Sequence, residues 1–175
     1  MKKTIGLILA SSLALLACGK KVAISDAVKN DLKNYLEVEL PKSARLMQRL
    51  KELQLDYKDE SEKKKSPKIS AEELESLTDA LKHLKTMPFA TEDVRGVHAE
   101  LVTAVEKIEH SFLALVATEK KQGMDILSGV FTAFKGIMEG IKYTNRWNDA
   151  LEDACKRNGL EAEFKAFHAK YGFKR

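Results

Sequence analysis

An all-α protein, an antiparallel bundle of about four long helices with a short C-terminal helix, is the fold this 175-residue sequence predicts. Three observations lead there. Apolar residues recur at intervals of three and four along most of the chain instead of alternating. Leu, Ala, Glu and Lys are abundant, with only three prolines and nine glycines, a composition of good helix formers. Valine, isoleucine and threonine are scattered and do not gather into the runs that build strands.

The amino terminus comes first. Lys2 and Lys3 precede an uncharged apolar run from Thr4 to Ala17, too short to cross a bilayer comfortably and laid out like an export signal. The run ends Leu15-Leu16-Ala17-Cys18. That tetrapeptide resembles the lipobox of bacterial lipoproteins, a resemblance confined to the first eighteen residues. It implies removal of residues 1–17, diacylglycerol on the Cys18 sulfur and a fatty acyl group such as palmitate on the new amino terminus. Two or three acyl chains, at about 0.8 kcal/mol per buried methylene, hold a protein to a membrane without any peptide crossing it. In that family an aspartate after the cysteine marks retention in the inner membrane. Gly19 stands there instead, so in a host with two membranes the resemblance implies the outer one, facing the periplasm. Residues 18–24 then read as a lipidated tether and residues 25–175 as one helical domain.

Removal of the leader leaves 158 residues, enough for one domain with its own core. It also removes Lys2 and Lys3, so 30 basic residues against 26 acidic become 28 against 26. So nearly neutral a chain, without clustered lysine and arginine interleaved with aromatics, is not expected to bind nucleic acid. With Cys18 lipidated, Cys155 is the one remaining thiol and no internal disulfide can form.

Ser25 and Asp26 suit a helix start, followed by a one-sided stripe of Val28, Leu32, Tyr35, Leu36 and Leu40. Pro41 interrupts the stripe, which resumes at Ala44, Met47, Leu50, Leu53 and Tyr57, predicting a helix kinked or restarted at the proline. Lys58 to Lys68 contains no apolar residue and reads as a solvated loop, with a lipid-contacting basic patch at Lys63, Lys64 and Lys65 as the alternative. Ser70 and Glu73 have capping-box spacing ahead of Leu74, Leu77, Leu81 and Leu84. Met87-Pro88-Phe89 closes that helix. Thr91, Glu92 and Asp93 open the next, whose face is Val94, Val97, Leu101, Val105, Ile108, Phe112 and Leu115 and whose stop is Lys120-Lys121-Gln122-Gly123.

From Met124 to Ile141 the pattern is two-sided. At 100° per residue Ile126, Leu127, Val130, Phe131, Phe134, Ile137, Met138 and Ile141 form a broad apolar arc, while Gly129, Ala133, Gly136 and Gly140 form a separate narrow strip. Glycines inside a helix each cost about 1 kcal/mol relative to alanine, so the strip is read as a helix-packing or docking surface and the arc as core. A membrane-inserting hairpin would use Gly and Ala similarly, but Asp125, Lys135 and Glu139 would be costly at bilayer depth. Trp147, Leu151, Ala154 and Cys155 continue the stripe to a C-cap at Asn158-Gly159. A short amphipathic helix with Leu160, Phe164, Phe167 and Tyr171 is expected to pack across one end of the bundle, ahead of a frayed Phe173-Lys174-Arg175.

Site chemistry is sparse. The four histidines, His83, His98, His110 and His168, show neither the i, i+4 pairing nor the His-x-x-Glu context from which helical metal sites are built. Gly96-Val97-His98-Ala99-Glu100 resembles imelysin-type metal-site motifs, but its spacing departs from theirs and no metal role is carried over. Cys155, four residues after Leu151, is expected to behave as a small hydrophobe, with a redox-sensitive thiol as the alternative. No Cys-x-x-Cys-His haem attachment, Walker loop or nucleophile elbow is present; a methionine–histidine haem is left open. The expectation is a non-catalytic, lipid-anchored envelope protein without cofactor, whose helix faces meet another envelope protein or a second copy. A carrier of an apolar ligand, with its cavity beside Phe131, Phe134 and Trp147, and a membrane-active protein are the alternatives.

Overall fold

The computed structural model describes residues 26–58, 70–118 and 124–171. The leader and lipobox, the 59–68 charged segment, the 120–123 stop and the last residues of the chain lie outside them. Of the described residues 91% are helical and none is in a strand. Six helices follow one another: α1 (26–42), α2 (Ala44–Lys58), α3 (Ala71–Lys85), α4 (Glu92–Thr118), α5 (Met124–Arg157) and α6 (Glu161–Tyr171).

Helix α1 buries Val28, Leu32, Tyr35, Leu36 and Leu40, the stripe read from the sequence. Its turn Tyr35–Glu39 is π-helical, with the Leu40 N–H donating to the Tyr35 carbonyl. A proline lacks an N–H and its ring crowds the carbonyl one turn back, and a widened turn just before it accommodates both deficits. The break itself falls two residues beyond Pro41, at Ser43 (φ −102°, ψ 29°), and α2 restarts at once to bury Leu46, Met47, Leu50 and Leu53.

The Ser70 hydroxyl accepts from the Glu73 N–H at 3.1 Å and the Glu73 carboxylate accepts from the Ser70 N–H at 2.8 Å, a complete capping box. This holds the Glu73 carboxyl below the usual carboxylate range. Helix α3 then buries Leu77, Leu81 and Leu84. Thr91 precedes α4 as expected, but its hydroxyl donates to Asp31 at 2.7 Å instead of capping its own helix. At the other end of α5, Leu160 N–H reaches the Cys155 carbonyl at 2.9 Å around Gly159, whose φ of +66° suits glycine.

Cross-contacts orient the helices. Asp31 meets Ala90 and Thr91 at the start of α4, and Arg49 of α2 meets Glu73 at the start of α3. Lys85 pairs with Glu106 at 2.7 Å and Lys107 with Glu139 at 2.8 Å. Thus α1–α2 and α4 run one way and α3 and α5 the other. Helix α6 packs on α5, α2 and the π turn of α1; Leu160, Phe164 and Phe167 are buried there, and Phe167 meets Trp147 edge to face at 6.4 Å. One core joins all six helices.

Candidate functional site

The longest contact among the described residues is between α4 and α5, and the small residues line it. A Cβ on Gly140 would lie 2.9 Å from the Ala104 carbonyl oxygen and overlap the Ile108 side chain; on Gly136 it would overlap Ser111, and on Gly129, Thr118. Ala133 is fully enclosed. The hydroxyls facing the glycines are satisfied within α4, Ser111 donating to the Lys107 carbonyl and Thr118 to the Ala114 carbonyl, both at 2.6 Å. Back-bonded in this way, their oxygens lie closest to the glycines, where a side chain would displace them.

With the small strip turned toward α4, the large arc of α5 looks elsewhere. Its C-terminal part enters the core, where Ile137 and Ile141 are buried. Its N-terminal part does not, contrary to the core role expected of it: Leu127 is 66% exposed, Phe131 71% and Ile126 37%, with Val130, Phe134 and Met138 half-buried. Helix α4 pairs with the first turns of α5 through the strip, and behind it Ile126, Leu127 and Phe131 stay exposed, while Met138 packs against the core. Leu127 and Phe131 stand four residues apart on one face, the spacing of a helix seam that meets another helix. From Leu127 to Trp147, which touches Tyr35 of α1, the helix axis runs about 30 Å. The seam is therefore remote from residue 26, where the amino-terminal segment joins the bundle.

A second constellation is wholly internal. The Trp147 Nε1–H donates to Tyr35 Oη at 3.2 Å, Tyr35 Oη lies 3.0 Å from His98 Nδ1, and His98 Nε2 lies 2.9 Å from the Leu84 carbonyl oxygen. Helices α5, α1, α4 and α3 each supply one member. Phe89 packs on both rings, 4.6 Å from His98 and 5.6 Å from Tyr35. Burial pushes the Tyr35 hydroxyl far above the usual tyrosine range and pulls His98 below the ordinary histidine value, so both are neutral at pH 7. His98 thus bonds a phenol and a carbonyl and no carboxylate. Its i, i+2 companion Glu100 does not join it in a metal site, and among the described residues no group of three His, Cys, Asp or Glu could hold a metal ion.

Cys155 is completely enclosed. Burial, reinforced by Glu163 and Glu161, pushes its thiol up to about 12. The thiolate is the reactive form, so in the folded protein Cys155 is expected to resist an aromatic disulfide reagent at pH 8 and to react promptly once denaturant is added. Immediate stoichiometric labelling without denaturant would show an accessible thiol and a different packing of α5 on α6.

Asp31 carries no signal in the sequence, Tyr35 stands there only in an apolar stripe, and Trp147 in a stripe and beside the cavity of the alternative carrier reading. Comparison with family models, curated proteins and solved structures found no match for the chain.

Proposed function

We propose that this chain is a lipid-anchored scaffold of the bacterial cell envelope, tethered through acyl chains on Cys18 and presenting the exposed Leu127–Phe131 seam of α5 to an apolar helix of another envelope protein. The observation that carries the reading is the exposure of Leu127 and Phe131 at 66% and 71%, on a helix whose small-residue strip is already committed to α4. Apolar area costs about 25 cal/mol per Å² to keep in water, and two large side chains at helical spacing offer a partner that same free energy on docking. The tether supports the reading from the other side. Residues 18–24 precede α1, whose Tyr35 meets Trp147, and Leu127 lies about 30 Å along α5 from Trp147, which keeps the seam distant from the start of α1. No helix among the described residues is long and apolar enough to cross a membrane, and the proposal needs none.

The carrier reading is less favoured because Phe131 and Trp147 stand about 24 Å apart along α5, one exposed and the other fully buried, and cannot line one small chamber. No catalytic or cofactor role is part of the proposal.

The test is a pull-down from envelope extracts with the wild type, a Leu127→Ser/Phe131→Ser double variant and a Cys18→Ser variant. The double variant keeps its stability within about 0.5 kcal/mol, as exposed substitutions do, and loses the partner; Cys18→Ser leaves the membrane fraction. Retention of every partner by the double variant would refute the docking seam. An unprocessed leader, or an unmodified Cys18 sulfur in the intact mass, would refute the anchor. Recovery of only the protein's own copies would redirect the seam to self-association.

A further inference from the structure

The polar chain at the centre of the bundle has a fixed direction. Indole N–H can only donate and a backbone carbonyl can only accept, so with Trp147 at one end and Leu84 at the other the two middle groups have a single arrangement. Tyr35 accepts from Trp147 and donates to His98 Nδ1; His98 carries its proton on Nε2 and gives it to the Leu84 carbonyl. A second proton on His98 would point an N–H at Tyr35 Oη, turning the phenol's own hydrogen away from its acceptor inside a fully enclosed site.

We propose that this polar chain is an acid-sensitive latch: protonation of His98 reverses its bond to Tyr35, leaves the phenol hydrogen without an acceptor and releases α1 from α4 and α5. The groups facing His98 offer a new proton nothing to compensate it. Tyr35 comes from α1, with Trp147 of α5 behind it; Phe89 comes from the α3–α4 turn; α3 supplies the Leu84 carbonyl and the His83 imidazole, which repels when charged. The sign follows from linkage. His98 takes its proton less readily in the closed bundle than at the ordinary value of 6.5, so below about 6.5 the open form gains protons first and the closed form loses ground as pH falls. If His98 stays neutral while closed, the closed-to-open ratio drops about thirtyfold between pH 7.5 and pH 5.

Trp147 is the only tryptophan and sits in the latch, so its emission reports opening in the full chain in detergent. Urea titrations at pH 7.5 and pH 5 should show the thirtyfold loss in wild type and in His83→Gln. In His98→Gln, which keeps one donor and one acceptor but cannot be protonated, the loss should shrink by that factor. An equal loss in His98→Gln would overturn the latch, as would no loss in wild type. If His98→Gln does not fold, NMR of the wild-type imidazole decides: His98 should stay Nε2-protonated until α1 opens, and free titration near 6.5 in the closed bundle would overturn the proposal.

Discussion

Gly140→Leu should remove most of the stability of the bundle, about 4 kcal/mol or more in urea unfolding. Small-to-large changes in a packed core typically cost 1–3 kcal/mol because neighbours can shift. Here one of the neighbours is the Ala104 carbonyl oxygen, 2.9 Å from where the first added carbon would sit, and the other is the branched Ile108. A backbone oxygen inside α4 cannot rotate away, so the helices must separate, and every contact along the α4–α5 interface weakens with them. Gly140→Ala should show the smaller form of the effect, about 1–3 kcal/mol, despite alanine's better helix propensity. Gly96→Ala is the control on α4 itself. Nothing lies within 4 Å of a Cβ there, so propensity acts alone and the protein should gain about 0.5–1 kcal/mol. A Gly140→Leu protein as stable as wild type would mean that α4 and α5 do not approach through the small strip.

Asp31→Ala carries the second large effect, a loss of about 2–4 kcal/mol. A single carboxylate oxygen accepts from the Ala90 N–H at 3.1 Å, the Thr91 N–H at 2.9 Å and the Thr91 hydroxyl at 2.7 Å. Asp31 is buried, and alanine would leave three part-buried donors at the α3–α4 turn without their acceptor; a fully buried orphaned donor costs about 1–3 kcal/mol, and entering water offsets part of that here. Asp31→Asn keeps an acceptor oxygen and should recover part of the loss. A double-mutant cycle with Thr91→Ala isolates the hydroxyl's share. Additive losses in that cycle would mean that the clamp joining α1 to the start of α4 is not formed in solution.

Both effects show how far the sequence reaches. The small strip was legible because Gly129, Ala133, Gly136 and Gly140 share a phase on a helical wheel; that it faces Ser111, Thr118 and Ile108 of α4 was not. The Ser70–Glu73 capping box and the Gly159 cap were legible to the residue, since each closes hydrogen bonds among near neighbours in the chain. Asp31 carried no signal, because its partners lie 59 and 60 residues away and a lone carboxylate inside a helix reads as solvated. In the sequence His98 stands out only within Gly96–Glu100, a motif whose spacing carries no metal role. Its role in a directed chain depends on Tyr35, 63 residues earlier, and on Trp147 beyond it.

By itself, then, the sequence determined the class of fold, most of the apolar faces of α1 to α4, the caps at Ser70 and Gly159 and the break near Pro41, because these follow from periodicity and bonding within a turn or two. Only the tertiary structure decided which half of the α5 arc is covered, where α6 lies, what Asp31 holds and which way the protons point in the central chain. Those outcomes rest on contacts between segments far apart in the chain. A helical stripe states that a face is apolar, and only the lengths and directions of its neighbours determine whether anything packs against it.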